Sequence, residues 1–427
     1  MLAVAAFALT NVFLLARRIS NTGVAVASTI ATAVYPVFFA QSSLAHADLM
    51  AAAFTLWGIR LGLERRLWTS QLAFSLAVLS KETAVVTPIA IGLWEFLALE
   101  KEEKISPAER LRRAALYLVP VLPLASWLLF HHHATGRFFG DAQFYQYNVG
   151  NVMVPVRFVI ALGIRIWQLF GFMNMLVLTA AMIAAMWFPA VVDQEGERQR
   201  ISIPVQIQFY LIILLQLITF SIVGGALLPR YLLSAYPLVV IIGMSTVRRR
   251  TSRWEWPAAL VVIAFALALF FNPPFKLAPE DNLTYKDFVE LHVDAVDFLN
   301  RHERDKTILT AWPATDELTK PYLGYAKTPL TVLPVENFTV EEVFKARAMR
   351  RNYQTAFVFS TKYNQPTWFG NKFDRIARRY FDYHTDLPPE VIANVLKAKI
   401  VFLERRKAEW VAVMEMEEPG VSAENRP

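Results

Sequence analysis

The chain has 427 residues, of which 55% are apolar, with 43 Lys plus Arg, 36 Asp plus Glu and no cysteine. Ordinary soluble domains are roughly 45–50% apolar, so this excess requires a membrane or an unusually large core. The absent cysteines exclude disulfides, a thiolate nucleophile, Cys-ligated zinc and iron–sulfur clusters. Mean hydropathy is +0.34, yet residues 272–427 hold more than half of the charged side chains at net −1, while residues 1–271 are net +8. Two solvents therefore act on one chain. The basic balance belongs to the flanks of apolar segments and implies no nucleic-acid partner.

In chain order, apolar runs between charge clusters predict ten crossings, given that a bilayer core needs roughly 17–25 helical residues. They fall at 1–16, 23–40, 48–63, 67–80, 83–99, 114–130, 173–191, 204–223, 231–247 and 255–271. Cations cluster on alternate connections: Arg17 and Arg18; Arg65 and Arg66; Lys101, Lys104, Arg110, Arg112 and Arg113; Arg198 and Arg200; Arg248, Arg249, Arg250 and Arg253. By the positive-inside rule these connections are cytoplasmic. The opposite connections, and everything after residue 271, are then outside. Segment 67–80 spans only about 21 Å at 1.5 Å per residue, which places Lys81 and Glu82 below the outer surface in a polar cavity or buried in protein. Residues 157–171 carry Arg157 and Arg165 among apolar side chains and read as an amphipathic helix at the outer interface.

From residue 284 the pattern changes to short β-rich runs, TILTAW at 307, TPLTVL at 328, TAFVFS at 355, KIVFLE at 399 and EWVAVME at 409. Helical stretches at 285–301, 339–351, 371–381 and 388–397 separate them. That order predicts a small α/β domain with a mostly parallel sheet and a final hairpin. GxGxxG and GxxxxGK[ST] are absent, as are GxSxG and HExxH, so nucleotide binding and those hydrolase chemistries have no support.

Ionisable groups at membrane depth are costly and mark functional cavities by default. His46 and Asp48 close the run FFAQSSLAHADLM: Asp48 can orient a hydroxyl, hold a metal with His46, or cap the following helix. Lys81 can bind a lipid phosphate with Glu82 orienting it, or the two can neutralise each other. Arg230, followed by Tyr231 in GGALLPRYLLSAYP, offers a guanidinium suited to bidentate phosphate recognition. The loop HHHATGRFFGDAQFYQYN at 131–148 adds Arg137 and Asp141 to the substrate-binding candidates, with aromatics able to stack on a sugar or to line the interface.

The runs FFAQSSLAHADLMAAAFTLWGIRLGLE, AFSLAVLSKETAVVTPIAIGLWEFL and LLPRYLLSAYPLVVIIG resemble the GT-C glycosyltransferases. The likeness extends to bacterial proteins of the protein O-mannosyltransferase and aminoarabinose transferase superfamily, glycosyltransferase family 39-like. It covers most of residues 1–271, a GT-C-like polytopic α-helical membrane domain, with 272–427 as an extracytoplasmic α/β domain in the inner membrane of a bacterium. The resemblance implies inverting sugar transfer from a polyprenyl-phosphate donor to a glycan, lipid or protein acceptor at the outer face. Lys81 and Arg230 then meet the phosphate, Asp48 is the catalytic carboxylate at the family's second acidic position, and the need for a divalent cation stays open. In the family the base lies on the first outer loop, whereas helix 1–16 here corresponds to the second crossing. The expectation is therefore a start assigned downstream of the true one. Two rivals share these residues: a polytopic transporter or flippase of lipid-linked sugars, and a non-catalytic remnant acting as a partner subunit.

Overall fold

The computed structural model of the protein describes residues 1–97, 106–138, 154–194, 196–223, 226–273, 277–361, 370–381 and 383–417. The chain divides into two compact units, Met1–Pro273 with Glu280–Asn282, and Pro274–Pro279 with Leu283–Pro427.

Among its described residues the first unit is built from helices, with one two-residue antiparallel ladder of Val192–Asp193 (β1) and Gly196–Glu197 (β2). Among the described residues, Leu2–Ile19, Pro107–Thr135 and Ile203–Ile222 are long and apolar enough to cross a bilayer, and Thr22–Val34, Leu67–Ser80 and Glu255–Ala268 are shorter apolar helices. Helix Ala47–Leu63 doubles back on Leu67–Ser80. Arg65, with φ of 59°, makes the turn. Close contact of this pair depends on Gly58, where a Cβ would lie 2.6 Å from the Phe74 ring. Leu67–Ser80 stops at Lys81, whose backbone is extended (φ −156°, ψ 122°), and the chain restarts as a 3-10 turn Glu82–Val85 and a helix Val86–Leu97. The break expected between 67–80 and 83–99 is therefore present, and it presents Lys81 at a helix end.

One segment differs from its sequence reading. Pro155–Phe170 turns its arginines inward: Arg157 and Arg165 are buried while Val156, Val159, Ile166 and Trp167 on the opposite face are exposed, and the helix forms a pair bent by 40° with Phe172–Met186. The bend is built from left-handed residues Met173 (φ 48°) and Asn174 (φ 63°), and the Asn174 side chain donates to the Ala264 carbonyl at 2.7 Å. The amphipathic pattern was real, but its polar face turns into protein.

The described residues of the second unit form a five-stranded sheet flanked by helices, among them Thr284–His302, Val340–Ala348 and Pro389–Leu396. Its strands are β3 (Ile308–Ala311), β4 (Val332–Val335), β5 (Thr355–Phe359), β6 (Ala398–Arg406) and β7 (Glu409–Met416), in the order β4-β3-β5-β7-β6. β3 is parallel to β4 and β5, whereas β7 is antiparallel to β5 and β6. Every residue of β5 is buried, which explains its continuous apolar run, since a strand covered on both faces has no reason to alternate. β4 starts later than the expected run at 328 because Leu330 N–H is already given to the Leu318 carbonyl (2.9 Å) and Pro329 has no N–H to give. Phe338, Phe357, Phe359, Leu291, Leu299 and Ile392 fill the core.

Candidate functional site

The polar centre of the first unit forms where the start of one helix, the break in another and a 3-10 turn meet. Asp48 lies in the first turn of Ala47–Leu63, where a carboxylate suits the helix dipole. It does not serve as an N-cap: position N-cap is His46, and its side chain makes no capping bond either. Asp48 instead accepts a short hydrogen bond from Lys81 Nζ, and its Oδ2 lies 3.5 Å from Arg230 Nε. Arg230 also pairs with Glu280. One carboxylate thus holds two cations at one point, and a second carboxylate, Glu280, also balances Arg230.

Tyr231 supplies the floor. Lys81 Nζ sits 4.0 Å from its ring centroid, within cation–π range. Asp48, Lys81, Arg230 and Tyr231 line one cavity of about 320 Å³, counting the space open at its mouth. Ala51, Ala52 and Thr55 continue the wall from Asp48, because positions i, i+3, i+4 and i+7 share one helix face. Gln216 and Ser234 close another side, and the Gln216 amide donates to Thr87 Oγ1 (2.9 Å) and Ser234 Oγ (3.0 Å).

His46 stands beside this group. It is hydrogen-bonded through Nδ1 to Gln41 Oε1 at 2.9 Å, and the Gln41 amide reaches the Glu280 carbonyl at 3.3 Å. Burial first, and the charge of Arg230 second, push the imidazole below the ordinary histidine range. Among the described residues no three His, Cys, Asp or Glu side chains form a metal-holding group, so His46 and Asp48 find no third ligand there.

Of the eight residues expected from sequence, Asp48, Lys81, Arg230 and Tyr231 share the cavity, with His46 at its edge. Glu82 does not orient Lys81 as expected. Extended backbone at Lys81 sends neighbouring side chains opposite ways, so Glu82 is exposed and Asp48 takes its place. Arg137 is exposed just beyond helix Val121–Thr135 and is not among the cavity's lining residues. Asp141 lies outside the described residues. Sequence reasoning missed Gln216 and Glu280. Gln216 left a signal, an amide in the middle of the apolar run FYLIILLQLITF; Glu280 left none, since it lies in an ordinary acidic stretch.

Fold and site together define a polytopic helical membrane protein whose open-mouthed polar cavity presents two cations and one carboxylate. Residues 1–127 match the family model described as dolichyl-phosphate-mannose-protein mannosyltransferase. In three dimensions the chain is similar to ArnT from Cupriavidus metallidurans bound to undecaprenyl phosphate, with a TM-score of 0.52 at 12% identity, covering 96% of this chain and 82% of that one. The apo form of the same protein gives 0.51 at 13% identity with the same coverage. No curated protein matches the sequence. The chain therefore has the GT-C glycosyltransferase fold, and its N-terminal part resembles the mannosyltransferases in sequence as well.

Proposed function

We propose that the chain is a membrane glycosyltransferase that moves a sugar from a polyprenyl-phosphate donor to an acceptor hydroxyl at the outer face, with inversion at the anomeric carbon. The observation that carries this reading is the convergence of Lys81 and Arg230 on one cavity around Asp48. A phosphate leaving group needs positive charge and hydrogen-bond donors in place before the bond breaks, and a guanidinium with an ammonium supplies both. In a single displacement the acceptor oxygen bonds to the anomeric carbon while the carbon–oxygen bond to phosphate breaks, and the electron pair leaves with the polyprenyl phosphate. The acceptor proton needs a carboxylate. Asp48 lines the cavity and is held by the two cations until phosphate takes them over; it then faces the acceptor hydroxyl as the orienting or proton-accepting group. Gln216, Ser234 and Thr55 offer uncharged partners for sugar hydroxyls.

The similarity to a structure described as bound to undecaprenyl phosphate supports a donor of that chemical class. Cation clusters on alternate connections support an inner-membrane protein with the cavity and residues 272–427 outside. The test is a deletion strain analysed by mass spectrometry for lipid-linked sugars. A transferase leaves its donor unconsumed and its acceptor unmodified, and the purified chain makes product from the accumulated lipid. Translocation of that lipid without product would identify a transporter instead.

A further inference from the structure

We propose that Arg165 and Gln168 are positioning residues that fix Arg230 and Tyr231 in the phosphate site by gripping the backbone that leads into them. Arg165 is fully buried in helix Pro155–Phe170. Its Nη1 donates to Gln168 Oε1 at 2.9 Å and to the Leu228 carbonyl at 2.8 Å, and its Nη2 donates to the Ala226 carbonyl at 3.3 Å. Gln168, one turn further along the same helix, donates through Nε2 to the Leu227 carbonyl at 2.5 Å. The next carbonyl, that of Pro229, accepts from Tyr236 Oη at 3.2 Å. Four successive carbonyls, 226 to 229, are thus each held by a side chain from another helix, and the residues that follow at once are Arg230 and Tyr231.

A buried guanidinium is expensive unless its donors are satisfied. The usual remedy is a carboxylate, but among the described residues none lies in ion-pair range of Arg165. Nη1 and Nη2 instead span neutral acceptors, a geometry that a lysine cannot reproduce, while Nε is buried with no hydrogen-bond partner among the described residues. Its positive charge remains uncancelled and faces the cavity wall: Arg165 Cζ lies 5.4 Å from the Tyr231 ring centroid, the ring that Lys81 approaches at 4.0 Å. The clamp therefore acts on the anion site in two ways, by fixing where Arg230 begins and by backing Tyr231 with positive charge.

This inference rests on the phosphate reading of the site, and a double-mutant cycle separates the two. The probe is undecaprenyl phosphate titrated against the purified full chain in detergent, with thermal unfolding followed in parallel. Arg230→Ala should weaken binding. Arg165→Lys, which keeps charge but loses the fork, and Gln168→Leu, which leaves Arg165 in place, should each weaken it about 5- to 30-fold, the cost of one or two hydrogen bonds. In the Arg230→Ala background the same substitutions should cost less than about threefold. Losses that add in full in that background, or wild-type binding by both clamp variants while Arg230→Ala is weak, would overturn the clamp. Wild-type binding by Arg230→Ala would overturn the phosphate reading itself, and the clamp with it.

Discussion

Replacing Lys81 with Met removes one charge from the centre of the site and separates structural from ligand-binding roles. In the resting site Asp48 accepts a hydrogen bond from Lys81 and has Arg230 Nε at 3.5 Å. Losing Lys81 leaves the carboxylate with the longer contact alone. Breaking a buried pair from one side costs roughly 3–5 kcal/mol, and the lower end applies here because a fifth of the Lys81 side chain is exposed. Stability should therefore fall by about 3 kcal/mol and the unfolding midpoint in detergent with it. Asp48→Asn combined with Lys81→Met removes both charges and should recover most of that loss. Binding should not recover. A charge-assisted hydrogen bond to the ligand is worth about 1.5–3 kcal/mol, so undecaprenyl phosphate should bind the double variant about 10- to 150-fold more weakly than it binds Asp48→Asn alone. Asp48→Asn alone retains both cations, and should hold phosphate at least as well as wild type while turnover drops. The reasoning is refuted if the double variant binds within about twofold of Asp48→Asn, for Lys81 would then be no more than a structural partner of Asp48.

Because the chain has no cysteine, single cysteines report topology without background: Cys at exposed Ser106 or Gln199 should be shielded from a membrane-impermeant thiol reagent in intact cells, and Cys at exposed Thr319 should label; the reverse pattern puts the cavity on the cytoplasmic face. Gly58→Ala forces a methyl group to within 2.6 Å of the Phe74 ring, so stability should drop by about 1–3 kcal/mol, and Phe74→Leu in the same chain should restore part of it; a neutral Gly58→Ala would mean that the two helices separate freely. Glu409 is buried beside Asp287, and burial with that neighbouring carboxylate raises its pKa from 4.5 to about 8. The folded state then holds a proton that the unfolded state releases, so this contribution to stability is full below about pH 4.5, declines as pH rises and is gone above about pH 8. Glu409→Gln should gain in unfolding midpoint over wild type between pH 5 and pH 8.5, and a constant difference across that range would refute the assignment.

Much of the architecture is written locally. Apolar length predicts helices at each of the ten candidate segments, the short run 67–80 predicts a break at Lys81, and β-rich runs predict all five strands of the C-terminal sheet, because length and periodicity are properties of adjacent residues. The same local information singled out Asp48, Lys81 and Arg230, since charge inside an apolar segment is conspicuous without any knowledge of its neighbours. Packing decided who meets whom. Sequence adjacency suggested that Glu82 orients Lys81, but the partner is Asp48, brought there by the hairpin at Arg65 and the close contact at Gly58. Amphipathicity placed Arg165 at an interface, but the bend at Met173 and Asn174 accompanies its burial against the carbonyls before Arg230. The sheet order likewise inserts β7 between β5 and β6. An ion pair between helices depends on where rigid bodies pack, and the residues that set that packing are glycines, turns and apolar faces other than the charges they bring together.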